Sequence, residues 1–315
     1  MPLGLIAAFG TLFCWTAGTL IFTVASQRTE PAALNRVRLI YATLLLSIIA
    51  IVFFNISFTD LFVLPSAAEW FWLGLSGIIG LTLGDFFAFS AFRILGSSRT
   101  SLFSPFAPVA ALLLGMVMLN ERMNLFGLIG MFISITGIVW FVNNTRKNTN
   151  EQLPKNELMK GIGFAILGAV GQGLGLVCAK KGLNITHAYG ADLNAVHATW
   201  IRMFIGSLAA YSLALFKRNS WKEFTTITGN AHTFTPAIMG TLFGPVAGVS
   251  LSLLAASQIP VGVAQTIFSL LPLTVMFAAV ISGREKLNTP TVIAVLICLF
   301  GVVVLVWRDD LITWF

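Results

Sequence analysis

Long apolar stretches, broken at short intervals by polar or charged turns, dominate the chain from end to end. A helix that crosses a bilayer needs about 20 mostly apolar residues, and ten stretches approach that length. They run over 3–25, 33–55, 70–92, 101–119, 125–142, 160–179, 193–216, 235–257, 261–282 and 289–307. The alternation of strands is missing, and the runs are too long for a membrane barrel. The connections are tight, as at Asn120-Glu121-Arg122 and Gly283-Arg284-Glu285-Lys286. Only the segment from Asn143 to Lys160 is long and polar, and it reads as a linker between two groups of five spans. The first span has no basic segment before it, which argues against a cleaved signal peptide. The pattern predicts an all-α membrane protein.

Displaced by 164 residues, the chain falls into register with itself. Arg38 lies on Arg202, Gly80 and Gly84 on Gly244 and Gly248, Pro108 on Pro272, Glu121 on Glu285, and Gly137 on Gly301. The first span of each group matches at a displacement of 157, which sets Trp15 opposite Gln172. A constant offset across four spans marks a duplication. The expected units are 1–146 and 160–315, joined by the linker 147–159. Five spans is an odd number, so the second unit enters the membrane in the opposite sense. Such inverted repeats belong largely to secondary transporters, in which two equivalent halves open a midplane site alternately.

The segment GLTLGDFFAFSAFRILGSSRTSLFSPFAPVAALLLGMVMLNER (Gly80 to Arg122) resembles the third and fourth helices of EamA-type transporters, in the drug/metabolite transporter superfamily. The family pattern there is a Gly-rich helix, a turn, a Ser/Pro-bearing helix and Gly-Glu; here Asn120-Glu121 and Arg284-Glu285 replace Gly-Glu. The resemblance covers both halves. It implies ten helices, a cavity between the halves, export or exchange of metabolites such as amino acids, and cytoplasmic termini. The charge count points the other way on the last feature. With Arg36, Arg38 and Arg202 set aside as residues that open spans and snorkel to the headgroups, twelve basic residues follow odd-numbered spans and four follow even-numbered ones. The positive-inside rule then places both termini outside.

Composition agrees with a membrane protein. Hydrophobic residues make up 57% of the chain and charged ones 10%, with a mean hydropathy of +0.89, whereas soluble domains carry about 25% charged residues. The net charge of +7 is scattered singly between apolar runs, which excludes a nucleic-acid surface. Cys14, Cys178 and Cys298 lie within apolar runs and read as inert core thiols. The three Asn-x-Ser/Thr sequons, at Asn55, Asn143 and Asn184, read as chance. No hydrolase elbow, zinc-protease motif or phosphate loop occurs, so neither a cofactor nor a metal is expected.

Asp85 is the acidic residue set clearly inside a span, and an ionisable group at that depth marks a functional site by default. Its counterpart in the repeat is Val249, so the carboxylate exists in one half alone. Asp85 is therefore the candidate for ion coupling or for balancing a cationic substrate group, with Phe89 and Phe92 as a stacking surface beside it. A structural ion pair with Arg93 or Arg99 is the alternative. Trp15 and Gln172, at the midpoints of their spans, read as pocket walls. Ser101, Pro105 and Pro108 recur at helical spacing, as do Gln265, Ser269 and Pro272; Ser101 and Gln265 complete the candidate substrate site, with kinks expected at the prolines. Small residues every fourth position, Gly80 and Gly84 against Gly244 and Gly248, predict that the third and eighth spans pack on each other closely. His197 reads as an interfacial hydrogen bonder, and Glu121 and Glu285 as turn anchors.

The residues thus lead to a multi-pass protein of the plasma membrane, the inner one in a bacterium, that moves a small organic molecule between inverted halves. Its partners are that substrate and the lipid bilayer, with no nucleic acid; a homo-oligomer is left open. An intramembrane lipid-modifying enzyme is the rival reading, and would want a cluster of His, Asp or Glu near one surface. Substrate, direction of transport and coupling ion are not legible in the sequence.

Overall fold

The computed structural model describes residues 2–26, 29–101, 103–145, 154–185, 193–215, 225, 227–281 and 289–309. These residues form helices and no strand. In the first half, α1 (Pro2–Ser26) is followed by α2 (Pro31–Phe54), a single turn α3 (Asp60–Val63), and α4 (Ala67–Ser76). A π-helical stretch, Gly77–Gly84, leads directly into α5 (Asp85–Ser101); α6 (Phe106–Leu119) and α7 (Leu125–Thr145) complete the half. The second half comprises α8 (Lys155–Leu183), α9 (Ala195–Leu215), α10 (Ala231–Thr241), a π-helical stretch Leu242–Gly248, α11 (Val249–Gln258), α12 (Val261–Phe268), α13 (Leu271–Ile281) and α14 (Thr289–Val306), so that continuous α5 of the first half corresponds to α11 and α12.

Local chemistry sets several of these limits. Pro31 occupies the first turn of α2, where its missing N–H costs nothing. Ser66 and Glu69 form a reciprocal capping box at the start of α4, with Ser66 N–H donating to Glu69 Oε2 at 2.7 Å. Asn55 and Asn120 end α2 and α6 in the left-handed region, with φ of 52° and 53°.

Seven helical runs among the described residues are long and apolar enough to cross a membrane, including Ala67–Leu95, Lys155–Leu183 and Ala231–Gln258. Phe106–Leu119, Leu125–Trp140 and Val292–Val306 are apolar but shorter. Large apolar side chains such as Phe53, Val117 and Leu296 stand on the outside of the bundle, at 75%, 79% and 60% exposure. That surface is matched to hydrocarbon, and the chain is a multi-pass integral membrane protein.

Two expectations about these spans need correction. The third span does not end near Phe92: its helix runs on to Ser101, so Arg93 and the backbone at Arg99 belong to a helix and not to a loop. The two prolines do not kink continuous spans either. Pro108 lies in the first turn of α6 and Pro272 in the first turn of α13, each just after a break in the helix, where no intrahelical donor is lost. The linker core, residues 146–153, and Glu285 lie outside the described residues.

The duplication reappears in the packing. Thr43 and Ser207, 164 residues apart, meet at 3.3 Å through their hydroxyls where α2 crosses α9. Ser134 Oγ donates to the carbonyl of Cys298, again 164 residues on, at 3.3 Å in the α7–α14 seam. A Cβ on Gly18 would lie 3.1 Å from Gly244 N, and one on Gly175 would lie 2.9 Å from Gly80 Cα. Those are the same contact made once from each half. The small-residue faces therefore do give close approach, but the expected partner is wrong. Gly80 and Gly84 face Gly171 and Gly175 of α8, and Gly244 and Gly248 face Gly18, Phe22 and Trp15 of α1. The third and eighth spans each pack these faces on the first span of the opposite half.

Candidate functional site

These cross-half seams leave a cavity of about 320 Å³ between the two units. Its wall comes from α1 (Trp15, Phe22), α2 (Arg38), the π-helical stretch (Leu81), α5 (Asp85, Phe89), α8 (Gln172), α11 (Val249), α12 (Gln265) and the α12–α13 break (Ser269). Five of the six sequence-predicted site residues, Trp15, Asp85, Phe89, Gln172 and Gln265, line this one space. The sixth, Ser101, lies where side chains are outside the described set; its neighbours Thr100 and Ser104 line the cavity. Pro272 lines it as well, while Pro108 is buried away from it.

Asp85 is the first α-helical residue after the π-helical stretch, and its N–H closes a wide turn onto Gly80 O. Such a turn widens the helix locally and is frequent at functional sites. An equivalent π-helical stretch precedes Val249, and there it houses Pro245, which has no N–H to give. The carboxylate of Asp85 is ion-paired with the guanidinium of Arg38. Gln172 Nε2 donates to Asp85 Oδ1 at 2.9 Å and to Gly80 O at 3.1 Å. Two residues read separately in the sequence, Asp85 and Gln172, are thus direct partners across the two halves.

The ion-pair partner was misread. Arg93 instead meets Glu30 at 3.2 Å on the exposed rim, where such a pair contributes little. Arg36, Arg38 and Arg202 do not snorkel: Arg36 and Arg202 are 5% and 4% exposed, and the Arg38 side chain 13%. Arg38 also takes the aromatic role foreseen for a substrate cation. Its guanidinium carbon stands 5.4 Å from the Phe89 ring centre and 5.9 Å from that of Phe22, within cation–π range. The side chain of Phe92 is outside the described set.

Trp15 packs edge-on against Phe268 at 5.0 Å and closes over Gly248, where a Cβ would approach its ring to 2.3 Å. His197 is buried with Nε2 2.9 Å from Leu61 O, so it ties α9 to α3 and stays away from the cavity. Glu121 anchors its turn as expected: it pairs with Lys180 at 2.6 Å and accepts from Val261 N at 2.8 Å, at the start of α12. Among the described residues no three His, Cys, Asp or Glu side chains gather as a metal site.

A central polar cluster inside an apolar helical bundle is the arrangement of a small-molecule transporter. The sequence matches the EamA-like transporter family over residues 2–143 and again over 159–307. The chain belongs to that family, with one copy of the family pattern in each half. No curated protein matches the sequence. Among solved structures, a crystal structure described simply as that of a protein superposes with a TM-score of 0.69 at 16% identity, covering 96% of each chain. At that identity the likeness concerns the fold alone.

Proposed function

We propose that the protein is a secondary transporter that moves a small organic metabolite by alternating access through the central cavity. In this reading ten helices form two inverted five-helix repeats in the plasma membrane, residues 1–146 and a second repeat that opens with α8 at Lys155, inside the stretch 147–159 expected as linker. The three short apolar helices serve as the remaining spans beside the seven long ones. The observation that carries the reading is the cavity itself. It is walled by both repeats, bears one ion-paired carboxylate and several aromatic rings, and is bounded by helices broken after Ser101 in one half and after Phe268 in the other. Broken helices at a repeat interface are a recurrent way to build a transport site.

Trp15, Phe89, Ser101, Gln172 and Gln265 contact the substrate in this proposal. Asp85 serves as the coupling group, held by Arg38 and Gln172 until the site rearranges. The amino acids, nucleosides, sugars and amines that cells export or exchange are the candidate cargo. The lipid-modifying alternative draws no support from the cavity, where the described residues offer a single carboxylate and no histidine. Counterflow in proteoliposomes of the purified protein tests the reading: a cargo loaded inside should drive uptake of its labelled form. Absence of counterflow across all four classes would contradict it.

A further inference from the structure

The duplication is broken at one chemically important point. Arg38 and Arg202 occupy equivalent places, 164 residues apart, but Arg38 has the carboxylate of Asp85 and the place equivalent to Asp85 is Val249. Arg202 is 4% exposed; its Nε, like those of Arg36 and Arg38, has no hydrogen-bond partner among the described residues, and unlike Arg38 it makes no ion pair there. It lines a small annex of about 20 Å³ together with Val249, Ser252 and Gln265. Trp15, Gln172, Val249, Gln265 and Phe268 border both the annex and the main cavity, so the annex opens behind the main wall.

A guanidinium keeps its charge in any protein environment, and a buried charge is tolerated when it is paired. Among the described residues, the charged side chains lining the two spaces are Arg38, Arg202 and Asp85, two cations and one anion. The site is thus one negative charge short. The shortfall lies beside Val249, an apolar side chain that leaves room where the other half has a carboxylate. An annex of this size holds about one water-sized group, which is the size of a carboxylate oxygen.

We propose that Arg202 is the anion-recognition residue of the site, binding a monoanionic carboxylate on the transported molecule, so that the cargo supplies the second carboxylate that the repeat lacks. The proposal rests on the transporter reading for its cargo and on the geometry alone for its anion. A phosphate dianion would overshoot the single missing charge, and a cation would meet an aspartate already paired with Arg38.

The test uses the purified full chain and matched probes: leucine with leucinamide, and benzoate with benzamide, against sodium chloride at equal concentration. Melting temperature should rise by several degrees with a carboxylate of either pair, and not with the amides or chloride. Val249→Asp should melt at or above the wild type without ligand and lose the carboxylate response, whereas Val249→Asn should keep it. Arg202→Gln should lose the response without melting lower, and Arg202→Lys should keep a weakened one; this second pair decides the matter if Val249→Asp does not fold. No carboxylate response in the wild type, an equal response to amides or chloride, or a response that survives Arg202→Gln would overturn the proposal. A carboxylate response without counterflow would leave the anion site standing and remove the transport reading. Counterflow undiminished in Arg202→Gln would do the reverse.

Discussion

Asp85→Asn is expected to melt far below the wild type, and Arg38→Gln added to it is expected to restore most of the loss. The single change leaves the largely buried Arg38 guanidinium without its carboxylate. Removing one partner of a buried pair costs about 3–5 kcal/mol, mostly because the other charge is left uncompensated. The double change removes that charge as well, and Gln172 can still hold Gly80 O. Stability and transport should therefore separate. The double variant should fold well and yet lose uptake driven by an ion gradient, because the coupling carboxylate is gone. Melting curves and ion-gradient-driven uptake on the same three purified proteins check both parts. A single Asp85→Asn variant that melts with the wild type would show that the Arg38 pair contributes nothing to the fold.

Leucine at Gly301 or Gly248 is expected to damage folding strongly. A Cβ on Gly301 would lie 2.4 Å from Ser134 N in the α7–α14 seam, and backbone there cannot step aside without separating the helices. A Cβ on Gly248 would lie 2.3 Å from the Trp15 ring, and relief would push that ring into the cavity. Overpacking of this kind typically costs about 1–3 kcal/mol, and the helix-on-helix backbone contact places Gly301 at the upper end or beyond. Gly163→Leu is the control, since nothing lies within 4 Å of a Cβ there; it should stay within about 0.5 kcal/mol of the wild type. Detergent-solubilised yield and melting temperature read all three. Gly301→Leu and Gly248→Leu at wild-type stability would mean that the seams are not the close contacts described.

The duplication was legible because packing constraints repeat with the sequence: Gly80 and Gly244, or Arg38 and Arg202, keep one offset across four spans. Asp85, Trp15, Gln172 and Gln265 were legible as single residues, since polar or amphipathic groups inside apolar runs are costly unless used. What one sequence does not encode is which faces meet. A stripe of glycines announces a close neighbour without naming it, so the third span was matched to the eighth when its neighbour is α8. Arg38 and Arg202 were taken for headgroup anchors because arginine near a span end usually snorkels. The signal that separates them from Arg93 is that both halves keep them at one offset. The π-helical stretches were invisible for a different reason. They depend on hydrogen bonds one residue longer than the α pattern, which tertiary contacts such as Gln172 to Gly80 O favour and local composition does not specify.

The central claim is that the cavity opens to one side of the membrane at a time, and a single cysteine in its wall measures this most directly. Ala169 lines the cavity on α8, so Ala169→Cys, with Cys14, Cys178 and Cys298 changed to serine, gives one reporter. Membrane-impermeant thiol reagents are applied to oriented vesicles from each face, with and without a cargo that supports counterflow. Conditions that raise labelling from one face should lower it from the other. Labelling that rises from both faces together, or that comes from the same face under every condition, would contradict alternating access.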